Sequence, residues 1–169
     1  QVSPSPWGFY SVDPLTGQSN LIGPQRTASS LLYVHDVERG TISSDGTRTY
    51  LTVRTPSGND HQAHVVGFNT SQPGEVFRVV TQGREADHIA LDPTERRLAV
   101  AVTMPGGSDH QVELLDAMTG VRLVPPISGP EAIVHLQFLA DGSLVYATSR
   151  RLIRRYGVNH VERLSIRVP

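Results

Sequence analysis

Seven residues hold most of the chemical potential of this sequence: the pairs Asp60-His61, Asp87-His88 and Asp109-His110, and the single His135. An imidazole beside a carboxylate can bind a transition metal, move a proton near neutral pH or hold a polar ligand. The pairs belong to separate stretches of chain, so no metal is expected from any one of them. The single close couple, His61 and His64, would face opposite sides of a strand. The plainer role for these side chains is to solvate the ends of hairpins. A second concentration is basic: Arg150, Arg151, Arg154, Arg155, Arg163 and Arg167 stand against Asp141 and Glu162 alone, whereas residues 1–135 carry the opposite balance. Such an edge can attract an acidic partner or phosphates, but arginines on a terminal strand also deter edge-to-edge aggregation. Only Tyr156 interleaves with them, so nucleic acid is not an expected partner.

Several chemistries are excluded outright. The chain has no cysteine, which removes thiol catalysis, disulfides and thiolate metal sites. All 15 basic residues are arginine, leaving no lysine for a Schiff base or a phosphate-binding P-loop. No G-x-S-x-G elbow, H-E-x-x-H or G-x-x-x-x-G-K-[ST] occurs, so no catalytic residue and no cofactor is assigned. The net charge of -1 gives no general attraction to nucleic acid or to an anionic membrane. No run approaches the roughly 18 apolar residues of a spanning helix, and the opening QVSPSPWGFY does not have the form of a signal peptide. Asn69-Thr70-Ser71 fits a glycosylation acceptor, a triplet that chance often supplies; the compartment is left unassigned.

The elements that must position these residues are strands. In IALDPTERRLAVAVTMPGGSDHQVELLDAMTGVRL, residues 89–123, an apolar strand ends in a turn at Asp92-Pro93-Thr94-Glu95 and a second strand alternates through Leu98, Val100 and Val102. A Gly-rich loop at Pro105 to Asp109 leads into a third strand and a turn at Asp116 to Gly120, with Val121 to Val124 opening the fourth. Leu98, Val100 and Val102 point one way and Ala99, Ala101 and Thr103 the other, as suits a sheet covered on both sides. The pattern recurs. The turn aspartates Asp45, Asp92 and Asp141 align at spacings of 47 and 49, and TPSGNDHQ at Thr55 recurs as MPGGSDHQ at Met104. Gln82 to His88 is expected to link two copies. Phe9, Tyr10 and Val12, the turn Asp13 to Gly17 and Leu21-Ile22 match only the second half of the unit, with Trp7 and Tyr10 packed into it. Leu31 to Val37 is an approach strand or the start of the next copy.

These repeats resemble blades of a β-propeller. IALDPTERRLAVAV is similar to the first two strands of a YVTN-type bacterial blade, and VELLDAMTG to the third strand and turn of a WD-repeat blade. Val12-Asp13, Phe68-Asn69 and Leu115-Asp116 stand where a Trp-Asp dipeptide would, and the Gly-His pair is missing, so no subfamily follows. The resemblance implies an all-β partial propeller of about three and a half four-stranded antiparallel blades: a tail over residues 1–6, a half-blade over 7–24, and blades over 37–80, 86–124 and 133–169. A β-sandwich is the alternative that strand spacing allows. The resemblance also places Asp60, His61, Asp87, His88, Asp109, His110 and His135 on one loop face.

At 169 residues the chain is short for a closed ring, since rings take at least about four blades. Two apolar flanks are then open, and a protein partner, a second copy of the chain or a further part of a longer parent protein is expected to cover them. The leading functional expectation is a non-catalytic interaction or sensor module, fitting the exported portion of a bacterial multidomain protein. One alternative is part of a metal-dependent, lactonase-like propeller hydrolase, for which the resemblance puts Glu85, Asp87 and Glu131 near the channel. The other is a self-associating structural domain.

Overall fold

The structure, a computed structural model, describes residues 10–12, 15–16, 18–21, 36–58, 60–70, 75–157, 159 and 162–168. The expected tail over 1–6, Trp7 and residues 31–35 lie outside that set. Strands β1 (Tyr10–Val12) and β2 (Ser19–Leu21) form a two-stranded antiparallel sheet. Three four-stranded antiparallel sheets follow, each a meander in which sequence neighbours are paired. The second sheet holds β3 (Asp36–Ile42), β4 (Arg48–Ser57), β5 (Asp60–Asn69) and β6 (Glu75–Val80). The third holds β7 (Glu85–Leu91), β8 (Arg97–Thr103), β9 (His110–Asp116) and β10 (Ile127–Gly129). The fourth holds β11 (Ile133–Phe138), β12 (Leu144–Thr148), β13 (Leu152–Tyr156) and β14 (Glu162–Arg167). Three sheets in series, with the middle one covered on both sides, decide against a two-layer sandwich.

Alternation along β8 builds the stack. Leu98, Val100 and Val102 enter one core with Tyr50, Ala63 and Val65 of the second sheet. Ala99 and Ala101 enter another with Leu136, Leu144 and Tyr146 of the fourth. The small alanines matter because a methyl group lets the next sheet approach closely enough to pack its larger side chains against the backbone. Glu113, on β9 and fully buried, is held by the Gln82 amide at 2.6 Å and by Arg122 Nε at 2.8 Å. Arg122 also donates to the Val80 carbonyl at 2.9 Å, so this pair ties the third sheet to the end of the second.

The repeat is sharper in the backbone than in the letters. Gly46, Glu95 and Gly142 all adopt left-handed φ (69°, 57° and 76°), and their amides donate back to Ser43, Asp92 and Leu139. These turns, not the three aspartates, are the equivalent positions. Asp92 therefore matches Ser43 and Leu139 and lies earlier in its turn than Asp45 and Asp141 do in theirs. A register shift also recurs, at Val37/Arg39, Ala86/His88 and Ile133/His135, leaving Glu38, Asp87 and Val134 as the bulged residues.

Two boundaries differ from expectation. Glu85 to His88 belong to β7 rather than to a linker, because the bulge lets the strand continue past His88. The fourth strand of the third sheet is not at Val121 to Val124, where only an isolated bridge, Arg122 to Leu115, forms. Pro125 and Pro126 lack amide hydrogens and interrupt the ladder, which resumes at Ile127.

Gly120 marks a point of close approach. It holds φ 73°, and a Cβ there would lie 2.3 Å from Val79 and 2.7 Å from the Phe77 ring. Gly120→Ala is expected to lower stability by roughly 1–3 kcal/mol, read as a lower urea midpoint at unchanged slope.

Candidate functional site

The loop residues singled out by type divide into three groups. Asp87 accepts a hydrogen bond from the Thr103 hydroxyl at 2.9 Å, and that hydroxyl lies 3.1 Å from His110 Nδ1. One pair from each end of the third sheet's first hairpin is thereby joined through a residue that its type alone did not suggest. His88 and His135 hold equivalent places across the bulges, and His135 is near enough to add to the lowering of the His88 pKa. Asp60 and His61 sit exposed at the tip of the β4–β5 hairpin, where the carboxylate caps the His61 amide at 2.8 Å. Asp109 is exposed in the β8–β9 loop, its carbonyl accepting from the Met104 amide. His110 also lines a cleft of about 80 Å³ between the third and fourth sheets, together with Glu131, Tyr146, Thr148 and Arg154.

The carboxylates considered for a channel are already engaged. Glu85 pairs with Arg54 at 3.5 Å and Arg84 at 3.4 Å, and Glu131 accepts from the Thr148 hydroxyl at 2.5 Å. Glu38, which was not singled out, accepts from the Ala86 amide of the next sheet at 2.9 Å and faces Arg54 at 3.7 Å. Burial raises the Glu38 pKa above the usual carboxylate range, against the pull of the Ala86 amide and Arg54. Among the described residues, no three His, Cys, Asp or Glu side chains come together as a metal site.

At the opposite hairpins the acids stabilise turns. Asp45 is pulled down to about 2 by the Ser43 hydroxyl and by the amide and hydroxyl of Thr47. Asp141 falls to about 2 through the Ser143 hydroxyl and amide. For Asp92, burial opposes ionisation, but bonds from the Arg97 and Arg96 amides, the Thr94 hydroxyl and Arg97 outweigh it and lower the pKa.

The basic edge is split by the pleat. Arg150 and Arg151 occupy the exposed β12–β13 turn. Arg154 lies on the inner side, pairing with Glu162 at 3.4 Å and lining the cleft. Arg155 lies on the other side, pairing with Asp141 at 2.5 Å.

Meandering four-stranded sheets stacked face to face, each with the same inner-strand bulge, have counterparts among solved structures. The β-propeller domain of Cps50 (Swd1) from Myceliophteria thermophila is similar over 90% of this chain and 50% of its own, with a TM-score of 0.65 and 10% identity. A chain of the Mitotic Checkpoint Complex is similar over 93% of this chain and 43% of its own, at a TM-score of 0.67 and 11% identity. The Dos1 propeller matches over 73% and 32%, at 0.60 and 11%. The fold is an open β-propeller. The second, third and fourth sheets are blades and keep the numbers of their sheets, and the chain spans half or less of the length of these propeller chains. No protein-family model matches the sequence, and no curated protein matches it.

Two blade histidines are held neutral. Burial lowers the His88 pKa, Asp87 opposes the shift, and Arg39 and His135 add to it. Burial, with Arg78, lowers that of His64, whose Nε2 lies 2.8 Å from the Thr55 hydroxyl. A lowered folded-state pKa means that the unfolded chain binds more protons below about pH 6.5. The stabilisation is full above that pH and is lost as pH falls through the folded values. The urea midpoint is therefore expected to be lower at about pH 5.5 than at about pH 7.5, and His88→Gln to flatten the difference.

Proposed function

We propose that this chain is a non-catalytic protein-interaction scaffold whose unclosed blade flank is covered by protein, with a second copy of the chain as the first occupant to test. The observation that carries this reading is the outer face of the last blade. Tyr50 and Thr52 on β4, and Ala99 and Ala101 on β8, each lie under the following blade. Val145 and Ala147 hold the equivalent places on β12, and no described strand covers them. The same face continues through Ile153 and Arg155 to Leu164 and Ile166, the last two about half exposed.

The polar contacts between blades stop at the same place. Arg39 donates to the Asp87 carbonyl of the next blade at 3.2 Å, and His88 meets the backbone of Ile133. His135, third in that series, turns instead to Gln137 on its own strand at 3.2 Å. An exposed apolar face with unspent polar contacts suits a partner sheet better than solvent. Charge supports a head-to-tail arrangement, because the last blade is basic and the remainder of the chain acidic. The engaged carboxylates favour a scaffold over a channel hydrolase.

Light scattering on a sizing column is expected to give a mass that rises with protein concentration. The double variant Val145→Asp, Ile166→Asp should hold the monomer mass while keeping the wild-type strand signal in circular dichroism. A wild-type mass that stays monomeric at every concentration would reject self-association.

A further inference from the structure

A cavity of about 160 Å³ opens between the second and third blades, at the end away from the histidines. Its aromatic wall is made by Tyr50 and Phe77, whose rings are 6.2 Å apart and tilted by 33°. Phe77 is fixed there by backbone: a Cβ at Gly67 would lie 2.6 Å from its ring, so the glycine exists where the ring must pass. Val76 and Met118, both about half exposed, continue the apolar lining. The volume is similar to that of engineered cavities of about 150 Å³ that admit benzene, so it suits one bulky apolar side chain.

Two polar groups at this cavity are unspent. The Tyr50 side chain is 1% exposed, and its hydroxyl has no acceptor, because the Arg48 guanidinium beside it can only donate. A buried hydroxyl without an acceptor is costly, and a ligand that supplies one relieves that cost. Arg48 donates through Nη1 to the Met118 sulfur and lies beside the Tyr50 hydroxyl, and a thioether is a weak acceptor for a guanidinium. The acids nearby are committed elsewhere. Asp45 and Asp116 cap their own turns, and Glu95 accepts from the Ser44 amide at 2.6 Å. A cation with no carboxylate hydrogen-bonded to it, beside a hydroxyl without an acceptor, sits over an aromatic-walled space for one side chain.

We infer that this cavity is a peptide-binding site that takes a bulky apolar residue next to an acidic one, the carboxylate replacing the Met118 sulfur on Arg48 and giving the Tyr50 hydroxyl its acceptor. The site lies between two packed blades rather than on the open flank, so it stands or falls independently of self-association.

The test is a titration of isotope-labelled protein with the blocked peptide Gly-Phe-Glu-Gly, followed by amide chemical shifts. Saturating shifts are expected at Gly67, Ala117 and Met118. The Gly-Phe-Gln-Gly peptide on wild-type protein, and the Glu peptide on Arg48→Gln, should each bind about tenfold more weakly, the worth of one charge-assisted bond. Tyr50→Phe should weaken binding about threefold without lowering the urea midpoint, since the hydroxyl it removes has no acceptor in the free protein. Absence of shifts with the Glu peptide, or equal affinity for the Glu and Gln peptides on wild-type protein, would overturn the assignment. The Asp double variant at Val145 and Ile166 should bind the Glu peptide as wild type does.

Discussion

A four-stranded sheet whose two faces are both apolar has to be covered on both, and everything else in this molecule follows from meeting that need in series. The third blade meets it in full, with Val100 directed into one core and Ala101 into the other. The approach is close because β8 offers methyl groups toward the next blade, and because glycines at 67 and 120 leave room for the Phe77 ring. The same geometry continues to the fourth sheet, whose outer face has no described strand over it and where Leu164 and Ile166 are about half exposed. A stack of identical junctions always ends in an unsatisfied one unless it closes on itself.

Several charged groups serve the junctions between blades. Glu113 is removed from water completely, which is tolerable only because Arg122 and the Gln82 amide replace its hydration. Arg97 pairs with Asp92 at 3.0 Å, donates to the Gly142 carbonyl of the next blade at 3.0 Å and lies over the Phe138 ring at 5.2 Å. Glu95 and Glu38 reach from side chain to neighbouring backbone in the same way. These contacts are directional where the apolar packing is not, so they fix the angle and register at which one blade meets the next. The His88 imidazole belongs to this set, held neutral within a junction instead of free in a loop.

Against that background the cavity beside Tyr50 is an exception. Its Arg48 guanidinium reaches the next blade only at the Met118 sulfur, and the adjacent Tyr50 hydroxyl has no acceptor. Other polar side chains along these junctions find backbone acceptors, as Thr52 does on the Ala86 carbonyl and Gln62 on those of Thr81 and Gly83.

The sequence by itself determined the strands, their order and the two-sided burial of the third blade. Those are properties of period-2 alternation and turn residues within about ten positions of each other. It also singled out Asp87 and His110, but not the Thr103 hydroxyl that joins them, because that contact crosses a hairpin and depends on which face of β8 each residue takes. Aligning the turns by their aspartates misplaced Asp92, since the shared feature is a left-handed backbone position that Gly46, Gly142 and a non-glycine, Glu95, all occupy. Only the tertiary structure decided that the arginines of the last blade lie on opposite sides, that Glu85 and Glu131 are engaged, and that Arg48 and Tyr50 share a cavity with Met118 some seventy residues away. Each of these rests on contacts between blades, whose distances are set by side-chain volumes packed across the junction and are encoded in no single stretch of the chain.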